Sequence, residues 1–360
     1  MKKKVPGDTW LWRISKKLFN NPVDKKFNIK AFNTENLPKP PYILVANHNH
    51  FLDPIFVLAT IDDPISWVAA LGTFQSWWLG IPLKLSDSIE KQKGVPDLKT
   101  VRNIFKALKN GGAVGLFPEG SVTWDGRPEK IYPGIDKLLN KSKVPIIGAK
   151  IHGGYLTKPR WAEKGRKGTI EIDFDIFEGE GVIDFIYDSE WDWQRSRKYA
   201  FRGRKKALGL ERLIWFCPEC CSYRTVKASG DKAMCSKCNF EFFVDDFGYI
   251  NGESIDLIVD EQRNLLKSYL RDSEILNAGM AKGVVRKKSD GKVVEKFKGG
   301  LLLNKEYIRV GNRVLNVNKI RGLSTFLKRF IEFVYENNVV RIKTEFSSFL
   351  IYHAFDILNH

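Results

Sequence analysis

The sequence predicts a mixed α/β layer fold, a mixed β-sheet flanked by helices. A zinc ribbon and a small β-barrel-like module with a C-terminal helix are expected to follow it. Three observations predict this. Strand-like and helix-like patterns alternate from about Tyr42 to Ile176. All five cysteines lie between Cys217 and Cys238. About eighty C-terminal residues read as short strands ending in one helix.

Taken in order, residues 1–30 predict an amphipathic helix. Asp8 or Thr9 can cap it, and Trp10, Leu11, Ile14 and Leu18 share one face while Arg13, Lys16 and Lys17 lie elsewhere. Trp beside basic residues suits an interfacial membrane helix, and Lys2–Lys4 would favour anionic headgroups. A helix packed on its own domain is the plainer alternative. Residues 31–190 carry the alternation. "YILVA" reads as a buried strand, "PIFVLAT" as a helix and "ISWVAAL" as a strand. "DLKTVRNIFKALKNGG" is a helix with Val101, Ile104, Phe105 and Leu108 on its apolar face and glycine at its end. "AVGLFP", "VPIIGAKI" and "TIEIDFDIF" are strands, with the helix "GIDKLLNKSK" between the first two.

Residues 191–215, dense in Lys and Arg, are expected to form a basic linker helix. The ribbon follows over 216–248, a helical connector over 249–275 and the β-rich module over 276–360. Hairpins are expected around Ser289-Asp290-Gly291 and Asn337-Asn338. The strand order, closed by a helix, weakly resembles pleckstrin-homology-like domains.

The chain has 360 residues, 43% of them hydrophobic and 28% charged, so most of it should be globular and divided into domains. No apolar run approaches the roughly 20 residues that span a bilayer. The N-terminus lacks the apolar core of a signal peptide, and a cytoplasmic protein is expected. Lys and Arg number 59 against 42 Asp and Glu, a net charge of +17. Such a balance favours a polyanionic partner, either nucleic acid or an anionic membrane surface.

Cys217-Pro218-Glu219-Cys220 and Cys235-Ser236-Lys237-Cys238 are two CxxC turns separated by 14 residues. Each turn can place two thiolates on one ion, and two turns complete a tetrahedral site. Structural zinc held by Cys217, Cys220, Cys235 and Cys238 is expected, with Cys221 as the spare. Four thiolates leave no open position for catalysis.

The stretch "VANHNHFLDP" admits three readings. A metal site of the HxHxDH kind fails on spacing, because Asp53 comes one place late and Pro54 follows it. A polar turn is the bland reading. The third pairs His48 with Asp53, five residues on: a carboxylate that reaches the imidazole sets its tautomer and favours the imidazolium formed when the ring takes a proton. This is the logic of a Ser-His-Asp triad with the hydroxyl supplied by the substrate. About seventy residues later "GLFPEGS" ends a strand in Phe117-Pro118-Glu119-Gly120. There Glu119 is expected to point a carboxylate at the site and Gly120 to admit a ligand to the backbone.

With NHxxxxD at Asn47–Asp53, FPEG at Phe117–Gly120, Ile89-Glu90-Lys91 and a later Val144-Pro145-Ile146-Ile147, residues 35 to 185 resemble the glycerophospholipid acyltransferases of the lysophosphatidic acid acyltransferase type. The resemblance implies that family's α/β fold, membrane association on the inner face of the cell membrane, and acyl transfer from acyl-CoA or acyl-carrier protein to a lysophospholipid hydroxyl. His48 would be the general base, oriented by Asp53, with no cofactor required for catalysis. Backbone N–H groups near Gly120 would receive the oxyanion. Lys91 is the candidate for the acceptor phosphate, with Glu119 and Gly120 at the substrate. Two departures bear on the acceptor. Ser121-Val122 stand where the family commonly has Thr-Arg, and Lys91 replaces an Arg, a point charge in place of a planar fork. Arg127 is the candidate compensation.

Two rival classes remain at this level. The charge, the ribbon and ten tryptophans suit a nucleic-acid-binding protein. That reading leaves His48–Asp53 and FPEG without a role, so nucleic acid is the disfavoured partner. An inactive lipid-binding scaffold is the other.

Overall fold

A computed structural model describes residues 5–10, 12–14, 16, 27–74, 80–91, 97–288 and 291–359. The chain divides into two compact units, Met1–Pro159 with Arg166–Arg202, and Arg160–Gly165 with Gly203–His360.

The first unit is built on strands β1 (Ile29–Phe32), β2 (Ile43–Ala46), β3 (Ile65–Ala70), β4 (Ile89–Lys91), β5 (Ala113–Leu116), β6 (Ile146–His152) and β7 (Ile170–Phe177). Their order in the sheet is β1-β7-β6-β2-β5-β3-β4. Neighbours are parallel except β6 and β7, which run antiparallel over seven residue pairs from Ile146↔Phe177 to His152↔Glu171. The expected mixed sheet is therefore present. The central strand β2 is buried on both faces, as its unbroken apolar run requires. Leu44 and Ala46 join one core with Phe56, Val57, Ile147 and Phe174, while Ile43 and Val45 join a second with Ile104, Leu108, Leu139 and Ile186.

The helices that cover these faces begin where the sequence places them. Leu98–Lys109 is capped by Asp97, whose side chain accepts the Thr100 amide. Its buried face is Thr100, Ile104, Ala107 and Leu108, and Val101, expected on that face, is exposed. The helix Asp53–Thr60 begins immediately after "NHNHFL", with Pro54 in its first turn, where a missing N–H costs nothing. Most importantly for function, β2, β5 and β6 are parallel neighbours (Val45↔Leu116, Ala46↔Ala149). The loops after them consequently leave the same edge of the sheet.

The basic segment 191–215 is not one helix. A helix spans Glu190–Arg197 and ends at Lys198 in the left-handed conformation, and a single 3-10 turn follows at Leu210–Arg212. Trp191 and Trp193 are buried in the first unit, which holds this helix in the α/β unit instead of letting it act as a linker.

The second unit contains a three-stranded ribbon, β8 (Val226–Ser229), β9 (Lys232–Cys235) and β10 (Glu241–Phe243). The connector helix Ile255–Ser273 anchors the chain just before the first CxxC turn. Its buried Gln262 accepts the amides of Trp215 and Phe216 at 2.7 and 2.8 Å and donates to the Phe216 carbonyl at 3.0 Å. A seven-stranded antiparallel sheet follows, made of β11 (Leu276–Lys287), β12 (Val293–Leu303), β13 (Tyr307–Val310), β14 (Arg313–Asn316), β15 (Ile320–Phe326), β16 (Phe330–Tyr335) and β17 (Asn338–Thr344), in the order β14-β13-β12-β11-β17-β16-β15. The helix Ser348–Asn359 closes the module. The β16–β17 turn is Glu336-Asn337, both at positive φ, because Tyr335 pairs with Asn338; it sits one residue earlier than the sequence suggested. Ser289 and Asp290 of the first hairpin turn, and Leu11 and Leu18 of the N-terminal face, lie outside the described residues. Among the described residues no helix is long and apolar enough to cross a membrane.

Candidate active site

The loop after β2 carries the histidines, and the structure separates them. His48 Nδ1 lies 2.9 Å from Asp53 Oδ2, with the His48 side chain 17% exposed and Asp53 fully buried. The same carboxylate oxygen accepts the His50 amide at 2.7 Å. When Asp53 is ionised it only accepts, which puts the ring proton on Nδ1 and leaves Nε2 as the basic nitrogen. Burial pushes the Asp53 carboxyl up; the amides of His50 and Asn49 pull against that, and Glu190 adds to it.

His50 faces the other way. Its Nδ1 accepts the Leu52 amide at 2.9 Å, and its ring packs on Phe56. Burial, then the charge of Lys158, push its imidazole down to about 3, so it is neutral and structural. Asn47 is also structural. It donates to the Ile151 carbonyl at 2.8 Å and accepts the Ile151 amide at 2.7 Å, tying the His48 loop to β6.

The FPEG loop follows β5 and meets this one. Phe117 stacks on the His48 ring at 4.1 Å and on Trp67 at 5.0 Å. The buried Glu119 accepts the His48 amide through Oε1 at 3.2 Å and the Glu129 amide through Oε2 at 3.3 Å. Burial and then Glu129 push its carboxyl up to about 8. Glu119 thus holds the His48 backbone. Gly120 has φ +66°, and a Cβ there would stand 2.2 Å from the Tyr132 ring. The close neighbour this glycine admits is that ring. Its amide donates to the Phe117 carbonyl at 3.1 Å, which closes the turn.

Lys91, at the end of β4, sits over the Tyr132 ring at 4.1 Å, which brings it beside the FPEG turn. Burial holds its ammonium below the usual lysine range. Arg127 is held by Asp125 through Nε at 2.8 Å and Nη2 at 2.6 Å, so its charge is compensated within its own turn. Sequence reasoning missed Phe117 as a ring on His48, and Trp67 behind it. It also missed Glu190, whose carboxylate accepts from Asn49 Nδ2 at 3.0 Å and from the Gly153 amide at 2.6 Å. Nothing in the local pattern near residue 190 announces a contact some 140 positions away.

In the second unit the four cysteines converge. Their Sγ atoms all lie within 4.8 Å of one another, with Cys217–Cys238 at 3.6 Å and Cys220–Cys235 at 3.7 Å. Tetrahedral zinc with bonds of about 2.3 Å has sulfur–sulfur edges of about 3.8 Å. The Lys237 amide donates to Cys235 Sγ at 3.4 Å, as a thiolate knuckle requires. The donor set and its spacing fit a metal ion such as zinc. Cys221 is exposed and outside the cluster.

An imidazole with a buried carboxylate on one nitrogen, at the carboxyl edge of a mixed α/β sheet, can take up and release a proton. Residues 28–152 match the family model for acyltransferases. Over 127 residues the chain is 28% identical to a 1-acyl-sn-glycerol-3-phosphate acyltransferase of Bacillus subtilis, covering 35% of this chain and 63% of that one. Over 128 residues it is 29% identical to the enzyme of the same name from Saccharomyces cerevisiae, covering 33% and 41%. The crystal structure of the 1-acyl-sn-glycerophosphate (LPA) acyltransferase PlsC from Thermotoga maritima aligns over 52% of this chain and 79% of that one, with a TM-score of 0.44 and 17% identity. The chain spans less than two thirds of the length of these two curated relatives. The first unit thus carries a region, residues 28–152, that matches the acyltransferase family model and is similar to 1-acyl-sn-glycerol-3-phosphate acyltransferases.

Proposed function

We propose that the chain transfers a fatty acyl group from a thioester donor, acyl-CoA or acyl-carrier protein, to the hydroxyl of a lysophospholipid of the 1-acyl-sn-glycerol-3-phosphate class. The observation that carries this is the 2.9 Å His48–Asp53 pair inside the matched region. His48 Nε2 takes the acceptor hydroxyl proton, and Asp53 steadies the imidazolium through Nδ1. The acceptor oxygen bonds to the thioester carbonyl carbon, the C–S bond breaks, and the imidazolium returns the proton to the leaving thiolate. Lys91 is assigned to the acceptor phosphate. Arg127, engaged by Asp125, supports that role less, which leaves a single point charge and so a tolerant headgroup site.

Peripheral binding to an anionic membrane, at the inner face of the cell membrane, completes the reading. The net charge of +17 supports it, as do Trp10 and Ile14, exposed beside Arg13. So does a row of exposed lysines, Lys343, Lys282 and Lys298, directly opposite one another across β17, β11 and β12. For the cysteine cluster we propose structural zinc, which supplies cross-linking of the ribbon and no catalytic step.

The test is His48→Ala, assayed with labelled acyl-CoA and a lysophospholipid panel. Transfer is expected to fall by at least about 10²-fold, the lower end of general-base contributions, with the melting temperature retained. A folded variant of undiminished activity overturns the mechanism.

A further inference from the structure

We propose that Glu190 is a positioning residue for the His48–Asp53 pair: its carboxylate and the start of its helix lock together three backbone segments that touch the pair or its loop. Glu190 lies outside residues 28–152, and the inference rests on the acyl-transfer reading above.

The three segments can be named. The first is the His48 loop. Asn49 Nδ2 donates to Glu190 Oε2 at 3.0 Å and also to the Ile151 carbonyl at 2.8 Å. The second is the turn after β6, where the Gly153 amide donates to Glu190 Oε1 at 2.6 Å. The next residue, Gly154, packs directly behind the pair: a Cβ there would stand 3.3 Å from Asp53 Oδ1 and 3.2 Å from His50 Cβ. The third is the stretch beyond FPEG. The Glu190 amide donates to the Gly126 carbonyl at 3.0 Å, and Trp191 Nε1 donates to the Asp125 carbonyl at 2.6 Å. That stretch returns to the base, because the Thr123 amide donates to the His48 carbonyl at 3.0 Å.

The chemistry of the clamp calls for a carboxylate. Both partners of the side chain are N–H donors, and both oxygens must accept. Glutamine would set its own NH2 against one of them. Flipping Asn49 does not rescue it, since the Asn49 oxygen would then face the Ile151 carbonyl. Glu190 is fully buried, and a buried carboxylate needs compensation. His152 supplies it, with Nδ1 at 3.5 Å from Glu190 Oε2 and Nε2 at 3.3 Å from Asp188 Oδ2. The charged and titratable groups facing Glu190 are thus His152, Asp188 and, across Gly154, Asp53.

The test uses the full chain with labelled acyl-CoA and lysophosphatidic acid. Glu190→Gln is expected to lower kcat by roughly 10–100-fold, the range for a displaced catalytic group, with KM changed by no more than about twofold. The acidic limb of the kcat/KM profile should move to lower pH, since loss of a nearby negative charge makes His48 easier to deprotonate. Glu190→Asp should recover part of the rate. Asn49→Ala, which opens the clamp from its other end, should reproduce the loss, and the double variant should fall no further than either single one. A Glu190→Gln protein with wild-type rate and profile overturns the proposal. So does a loss of rate with an unmoved profile, which marks a role in folding alone. If Glu190→Gln does not fold, Asn49→Ala with unchanged kcat and profile overturns it. An inactive wild type overturns the acyl-transfer reading, and this proposal with it. An active wild type with indifferent variants overturns this proposal alone.

Discussion

Glu119 is a buried carboxyl that receives two backbone amides and faces another acid. Its raised pKa has a consequence for stability that can be signed. In the unfolded chain it ionises near 4.5, and in the folded chain near 8. Below pH 4.5 both states are protonated and the group is neutral toward folding. Above it the unfolded chain gains ionisation that the folded chain resists, so folding loses stability from pH 4.5 up to about 8 and no further beyond. Each unit of separation is worth about 1.4 kcal/mol. Urea denaturation at pH 5 and pH 8.5 should therefore show the wild type weakening more than Glu119→Gln does. Equal slopes for the two proteins would show that the carboxyl ionises normally.

At the same scale, His48 and His50 were separable by spacing, since only His48 stands five before Asp53. Spacing could not say what His50 does. Its neutrality follows from burial against Phe56, a property of packing. Arg127 likewise carries a partner that its place near the motif does not announce, the Asp125 carboxylate.

Among the elements, the cysteine ribbon was the most legible, because two CxxC turns carry their own geometry. If the cluster holds zinc, Cys235→Ser removes one of four ligands. The expected result is about one equivalent of bound zinc lost per chain by elemental measurement, with a lower melting temperature, because the binding energy of such ions is folding energy. Full zinc occupancy in the variant would show that the four thiolates are not the ligand set. Less legible was the segment 191–215. Its basic composition suggested a solvated helix, yet Trp191 and Trp193 commit its first part to the core of the α/β unit. Composition averages over a window, while two buried indoles decide where a helix goes.

For the molecule as a whole, net charge and exposed surface lead to a binding prediction. The chain should float with vesicles containing anionic phospholipid at low salt. Binding should weaken as ionic strength rises and be lost on purely zwitterionic vesicles. Lys282→Glu combined with Lys298→Glu should weaken flotation by several-fold. Retention on nucleic acid with no flotation would favour the rival partner.

Sequence alone determined the alternation of strands and helices, the His48–Asp53 spacing, the FPEG turn and the four-thiolate set. Each is written in residues close enough to constrain one another through local geometry or a fixed motif. Only the tertiary structure decided how those pieces meet. Placing β2, β5 and β6 side by side brings residues 48, 119 and 153 to one edge of the sheet. The same packing buries Glu190 against Asn49 and Gly153. Contacts across seventy to 140 residues depend on strand order and on which faces are buried, and no local pattern encodes either.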